Sequence, residues 1–175
     1  MDIAIRNKWV SLRGSTVVKD VNENDIAFVK GKFWTVTSKK YVQDLNGNTK
    51  YVVRNKFWRL FRYSAFVYDS SEKEKVAVVK RRIFNFIHSK YYVKCKFGDM
   101  EITGNILGFD YHIVLNGKEV GHVSRMISLR DSFVLHIDDE EHYMFYLSLV
   151  IAIDNITDRI RTNNQTNNLL DVLNS

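Results

Sequence analysis

The chain has 175 residues, 45 % hydrophobic and 13 % aromatic, with one cysteine and no proline. That suffices for one domain with a substantial core and excludes both wholesale disorder and an intrachain disulfide. The net charge of +6 is polarised: residues 1–100 carry 21 Lys/Arg against 9 Asp/Glu, and residues 101–175 carry 5 against 11, so the first half is suited to anionic partners.

The N-terminal stretch MDIAIRNKW has no basic region followed by an apolar run and a cleavage site. No secretory signal is therefore expected. With the lone Cys95, this points to a reducing, cytoplasmic setting. A repeat of 24 residues then runs along the chain: Lys8-Trp9, Lys32-Phe33 and Lys56-Phe57, then Val18, Val42 and Phe66, then Asp20 and Asp44. A weaker copy begins at Arg81, and shorter units follow from Asn105 and Arg125. A fixed period is the mark of a repeated supersecondary unit.

Each unit holds two extended runs rich in β-branched and aromatic residues, separated by turn signals such as VNEND, LNGN, SSEKEK and LNGK. This predicts twelve strands, roughly at 2–12, 15–21, 25–36, 40–45, 50–60, 64–69, 75–86, 90–97, 100–109, 110–115, 118–129 and 131–138. Asn46-Gly47 and Asn116-Gly117 suit two-residue hairpin turns, whose central positions need positive φ. Short connections predict an antiparallel meander.

From Tyr143 to Ile153 the only polar residue is Ser148. Acids at 138–141 precede this run, and Arg159 and Arg161 follow it, the polarity that a helix dipole favours. A helix is expected over about 139–161, with Asp138 or Asp139 as its N-cap. Its apolar run is about half the roughly 20 residues needed to cross a bilayer, so no transmembrane span is expected. A helix apolar all round must be enclosed by protein. A twelve-stranded closed barrel has a lumen that such a helix would fill. The expected fold is thus all-β with one buried helix: a single domain over 1–161, a mainly antiparallel barrel around a central helix, followed by a polar tail at 162–175.

The order KFW…YVQDLNGN…YVVRNKFW, then GNILGFDYHIVLNGKEVGHVSRMISLRDSFVLHID, then LSLVIAID, resembles the LURP-one-related family, in its uncharacterised bacterial branch. The resemblance spans about residues 3–158. It implies the Tubby C-terminal-like barrel, twelve strands around a central helix, also attributed to phospholipid scramblases. Tubby proteins bind phosphoinositides and scramblases act on membrane lipid. No catalytic motif carries over onto residues of this chain.

The histidines are His88, His112, His122, His136 and His142. With a two-residue turn at Asn116-Gly117, His112 would face Gly121 and His122 would face Tyr111. The two histidines would then point to opposite sides of the sheet. No metal site and no cofactor is expected. Cys95 lies between Lys94 and Lys96, which favour a thiolate, although an ordinary strand cysteine is the plainer reading. Acids 138–141 are read as helix-start acids rather than a cation site. No phosphate-binding glycine loop, nucleophile elbow or zinc-protease motif occurs.

The stronger pattern is basic. Arg6, Lys30, Arg54 and Lys80 occupy equivalent repeat positions, and Lys8, Lys32, Lys56 and Arg82 follow two residues later. The intervening Ile3, Ile5, Trp9, Val29, Phe33, Val53, Phe57, Val79 and Ile83 should face the core, so the basic rows should face out. Trp34 and Trp58 share the parity of the lysines. Outward cations with outward tryptophans suit anionic lipid headgroups or another acidic partner. Single-stranded nucleic acid is the weaker candidate. The leading expectation is a non-enzymatic binding or scaffold module, cytoplasmic and peripheral at a membrane. The alternative is a small-ligand binder or enzyme using a cavity at the barrel mouth, with His112, His122 and acids 138–141 as its candidates.

Overall fold

The computed structural model describes residues 1–6, 15–31, 39–55, 64–81, 90–126 and 132–173, and of residues 6, 132, 158 and 160–173 the backbone alone. The alternating runs form β1 (Asp2–Arg6), β2 (Ser15–Asp20), β3 (Asp25–Gly31), β4 (Lys40–Gln43), β5 (Thr49–Asn55) and β6 (Ser64–Asp69). They continue as β7 (Lys75–Arg81), β8 (Tyr91–Cys95), β9 (Gly98–Asn105), β10 (Asp110–Leu115), β11 (Lys118–Arg125) and β12 (Ser132–Ile137). The outer parts of the expected strands 2–12, 25–36, 50–60, 75–86 and 118–129 lie outside the described residues. Between β9 and β10 a single 3-10 turn over Ile106–Gly108 replaces a direct reversal, and Phe109 leaves it in the left-handed region.

Every strand pairs antiparallel with its sequence neighbours, and β1 also pairs with β12, so the sheet closes on itself. Closure satisfies both edges that an open sheet would expose. Strand alternation sends Ile3, Ile5, Val29, Val53 and Val79 inward, each at most 2 % exposed. These are the members of the expected core set that the structure describes. Trp9, Phe33, Phe57 and Ile83 lie outside it.

The repeat survives as a repeated turn. At the ends of β2, β4 and β6, the carboxylates of Asp20, Asp44 and Asp69 fold back over their own loops. Asp20 accepts from the backbone N–H groups of Asn22 and Asn24, at 2.8 and 2.9 Å. Asp44 accepts from Asn48 N–H at 2.8 Å, and Asp69 from Ser71 N–H at 2.9 Å. Each hairpin also carries a register shift just before its turn, at Val18/Lys19, Val42/Gln43 and Val67/Tyr68. The expected two-residue turn at Asn46-Gly47 is therefore not formed. Gln43 pairs with Thr49, and Asp44–Asn48 make a longer loop in which Gly47 alone takes positive φ. Asp44 wins because its side chain binds the loop backbone, which a two-residue turn would not offer. Asn116-Gly117 does form the expected tight turn: both residues have positive φ, and Leu115 pairs with Lys118.

Helix α1 spans Tyr143–Leu173, and its first part runs inside the barrel. Every residue from Phe145 to Thr157 is buried, about 20 Å of helix at 1.5 Å per residue. Its contacts come from around the wall: Tyr143 donates to Ile26 O from β3, Asn55 of β5 donates to Asn155 O, and Tyr91 of β8 shares a hydrogen bond with Thr157. Ser148 is fully buried and returns its hydroxyl to Phe145 O at 2.6 Å, so it leaves no unpaired donor in the core.

The helix bounds differ from the expected 139–161. It begins at Tyr143 because the Asp139 carboxylate accepts from the N–H and ring of His142, closing a turn ahead of the helix. It continues through 162–173, read from the sequence as a polar tail. That stretch contains no glycine or proline, and its Asn, Thr and Gln each cost a helix only some tenths of a kcal/mol. No helix of the described residues is long and apolar enough to cross a membrane.

Candidate functional site

The meander puts the C-terminal ends of β1, β3, β5 and β7 at one end of the barrel. There Lys30, Arg54 and Lys80 are exposed on the outer face, as their parity requires. Arg6 ends β1 at the same level. Lys8, Lys32, Lys56, Arg82, Trp34 and Trp58 lie outside the described residues. Because β2, β4 and β6 intervene, successive basic side chains are two strand spacings apart, roughly 10 Å.

Aromatics fill the intervals. Lys30 is registered against Tyr41, Arg54 against Phe66 and Lys80 against Tyr92. The Arg54 guanidinium lies 5.4 Å from the Tyr68 ring, and the Lys90 ammonium 5.2 Å from Tyr92. Among the described residues, Lys30, Arg54 and Lys80 take part in no ion pair, whereas Lys90 is tied to Glu101 at 2.6 Å. The face over β3–β8 is thus cationic with half-buried rings between the charges, a surface chemically matched to anions.

Where α1 enters, a cavity of about 510 Å³ opens at the barrel mouth, lined among others by Lys50, Tyr51, Asp69, Glu141, His142 and Tyr143. Burial, then the charges of Asp69 and Glu72, hold the Tyr51 phenol above its ordinary pKa. The acids 138–141 do not converge there. Asp138 is 3.5 Å from His136 Nε2, Asp139 binds His142, Glu140 pairs with the N-terminal ammonium at 3.0 Å, and only Glu141 lines the cavity. In its wall the Ser71 hydroxyl donates to the Asp69 carboxylate at 2.6 Å, a bond within the β6–β7 loop.

Where α1 leaves, the core turns polar. Asp154, 7 % exposed, stands 3.7 Å from the Lys40 ammonium. Tyr111 lies fully inside, and burial, then the nearby Asp154 carboxylate, push its phenol well above the ordinary range. This layer has no counterpart in the sequence reading. Its signal was Asp154-Asn155 closing the apolar run.

Cys95 has the character of an ordinary strand cysteine, the plainer reading, whereas the histidine parity is corrected. Cys95 is half-buried and donates its thiol to Gly98 O at 3.2 Å. Burial raises the thiol pKa, outweighing the hydrogen bonds that lower it. Lys94 and Lys96 are exposed, the first 4.0 Å from the Asp99 carboxylate and the second over the Phe97 ring at 5.4 Å. The histidine parity is reversed. A bulge between β10 and β11 leaves Val120 unpaired, so Ile113 faces Gly121 and His112 faces His122 directly. His122 is in turn registered against His136 of β12, and His136 against Asp2 of β1. The three histidines form one row across the outer face, with ring centroids 6.3 and 4.9 Å apart. Gly121 was the available clue, since a glycine inside a strand pattern marks a bulge or close approach. A Cβ there would lie 2.6 Å from His136 O. His88 lies outside the described residues. Among the described residues no group of three or more His, Cys, Asp or Glu side chains could hold a metal ion.

The family model described as LURP-one-related matches residues 1–154. A protein of Arabidopsis thaliana solved by X-ray crystallography has a similar structure, with a TM-score of 0.60 and 22 % identity over 89 % of this chain and 90 % of that one. At that identity the likeness bears on the fold alone. No curated protein matches the chain.

Proposed function

Because the chain belongs to the LURP-one-related family, whose barrel is a binding scaffold here without a catalytic constellation among the described residues, we propose that it is a non-enzymatic module that docks on anionic phospholipid surfaces. The observation that carries this is the row of exposed cations, Lys30, Arg54 and Lys80, in no ion pair among the described residues, with outward Tyr41, Phe66 and Tyr92 registered beside them. In the sequence pattern, Arg6, Lys8, Lys32, Lys56 and Arg82 share the repeat positions of this row, and Trp34 and Trp58 share their parity, a composition suited to a headgroup layer. Each basic side chain near an acidic leaflet contributes about 1 kcal/mol, screened within a Debye length. The protein then acts peripherally, from a cytoplasmic location.

Flotation with vesicles of phosphatidylcholine alone, and with added phosphatidylserine, tests this. Recovery should require the acidic lipid and fall as salt is raised. The variant Lys30→Glu/Arg54→Glu/Lys80→Glu should remain in the unbound fraction. Equal recovery on neutral and acidic vesicles removes the reading.

A further inference from the structure

The two ends of the barrel differ in charge. Lys30, Arg54 and Lys80 stand at the C-terminal ends of β3, β5 and β7. Lys50 and Tyr51 lie at the start of β5, at the opposite end, where α1 enters and the cavity of about 510 Å³ opens. We propose that this cavity is a binding site for a small aliphatic amine, held as its primary ammonium ion. The proposal is independent of lipid docking.

Charge supplies the first argument. Two carboxylates line the cavity from different elements, Asp69 from the end of β6 and Glu141 from the segment ahead of α1. Among the described residues the Glu141 side chain takes part in no ion pair and no hydrogen bond. Asp69 gathers its loop bonds on Oδ1 alone: Ser71 N–H at 2.9 Å, the Ser71 hydroxyl at 2.6 Å and Glu72 N–H at 3.4 Å. Oδ2 receives none of these and keeps its lone pairs for another donor. The cations at the mouth are already engaged. Lys50 is 3.4 Å from the Asp44 carboxylate, His142 turns its Nδ1 to Asp139 at 2.9 Å, and Lys96 sits over the Phe97 ring at 5.4 Å. The acids ahead of α1 outweigh the half charge of its dipole. The mouth is therefore a concave acidic region, opposite in sign to the basic face.

The wall supplies the second. Tyr51 and Tyr143, both half-buried, line the same cavity. Each ring is fixed: Tyr51 meets Phe145 edge-on at 6.0 Å, and Tyr143 donates its hydroxyl to Ile26 O at 3.0 Å. Aromatic rings beside carboxylates suit an ammonium on a short aliphatic chain, which also has an apolar wall to lie against at Met144. Because burial, and then the charges of Asp69 and Glu72, hold the Tyr51 phenol protonated at neutral pH, it adds an acceptor lone pair and no competing charge.

Donor count selects among amines. A primary ammonium carries several N–H donors, and the cavity offers Asp69 Oδ2, Glu141 and the Tyr51 hydroxyl as acceptors. A quaternary ammonium has no donor and would keep only its attraction to the rings. The volume falls within the roughly 300–1,000 Å³ of small-molecule sites.

Titration of the full chain with putrescine at pH 7.5, followed by NMR, tests the site. The Tyr51 and Tyr143 ring resonances and the amides of residues 69–72 and 141–144 should shift together and saturate with one dissociation constant below about 1 mM. Added salt should weaken the binding. Asp69→Asn and Glu141→Gln should each weaken it about threefold to fivefold, and the double variant about tenfold or more. Glu141 is exposed and tied to nothing among the described residues, so its variant folds as wild type does. Lys50→Met should bind at least as tightly as wild type, because a neighbouring positive charge is gone. Tetramethylammonium should bind at least about fivefold more weakly than putrescine, and inorganic phosphate should shift none of these resonances. Lys30→Glu/Arg54→Glu/Lys80→Glu should bind putrescine as wild type does, so failure of this site and failure of lipid docking are read apart. No saturable shift up to about 10 mM putrescine, binding unchanged in Asp69→Asn/Glu141→Gln, tetramethylammonium bound as tightly as putrescine, or phosphate bound at these residues would each overturn the site.

Discussion

The Lys40 ammonium on β4 stands 3.7 Å from the Asp154 carboxylate on α1, with their side chains 12 % and 6 % exposed. This is a charge pair inside the barrel, at the end where the helix leaves. Breaking a buried pair by removing one partner is costly, whereas replacing both need not be. Lys40→Met should destabilise the protein by about 3 kcal/mol, and Lys40→Met/Asp154→Leu should recover much of that loss. Urea unfolding of the two single variants and the double variant measures the coupling. Additive losses would mean that the two groups act independently.

Leu149 and Ile151 are both fully buried on α1. Leu149→Ala should cost about 2–5 kcal/mol through lost transfer energy and a residual cavity. Leu149→Asp should abolish folding, because the charge would have no partner in the barrel interior. Circular dichroism and thermal unfolding read both. A Leu149→Asp variant that melts at the wild-type temperature would place the helix outside the barrel.

The loop carboxylates make stability depend on acid. The Asp20 pKa is lowered, chiefly by its hydrogen bond from the Asn24 side chain. For Asp44 and Asp69, burial acts to raise the pKa, but hydrogen bonds from Asn48 and from Ser71 and Glu72, with the help of lysine, outweigh it. A pKa lower in the folded than in the unfolded state contributes stability above the unfolded value, near pH 4, and that contribution is lost as pH falls through the folded value. Stability should therefore drop between about pH 4 and pH 2. In Asp20→Asn/Asp44→Asn/Asp69→Asn the profile should be flatter over that range, with the deficit against wild type greatest near neutrality. Parallel profiles would show that the loops contribute nothing through charge.

Burial of the Cys95 thiol and its bond to Gly98 O should make it slow to react. Labelling by a maleimide at pH 7.5 should run at least about tenfold slower than for a free thiol, because the thiolate is the nucleophile. It should reach the free-thiol rate in denaturant. Rapid labelling of the native chain would contradict the raised pKa.

Much of the inward and outward pattern was legible one strand at a time. Lys30, Arg54 and Lys80 face out and Val29, Val53 and Val79 face in because successive side chains alternate across a strand, a property of the backbone alone. The enclosed helix was legible for a similar reason: an apolar run with no polar face has no stable position in water. Its length was not. Acids before the apolar run mark the neighbourhood of a helix start, but the Asp139 turn onto His142 decides the first residue, and weak propensities over 162–173 leave the end open to context.

The sequence by itself thus determined the class of fold, the inward and outward sets on each strand, and the buried character of residues 145–153. These follow from local geometry and from the cost of wetting apolar surface. Only the tertiary structure decided which side chains stand beside each other on different strands. The turn at Asn116-Gly117 was read correctly, yet the His112–His122 pairing was missed, because the extra residue Val120 shifts every partner beyond it by one place. Lys40 likewise meets Asp154 only once the barrel has closed around the helix. Register depends on bulges, closure and the opposing strand together, and a period-2 pattern read along one strand carries no information about its neighbour.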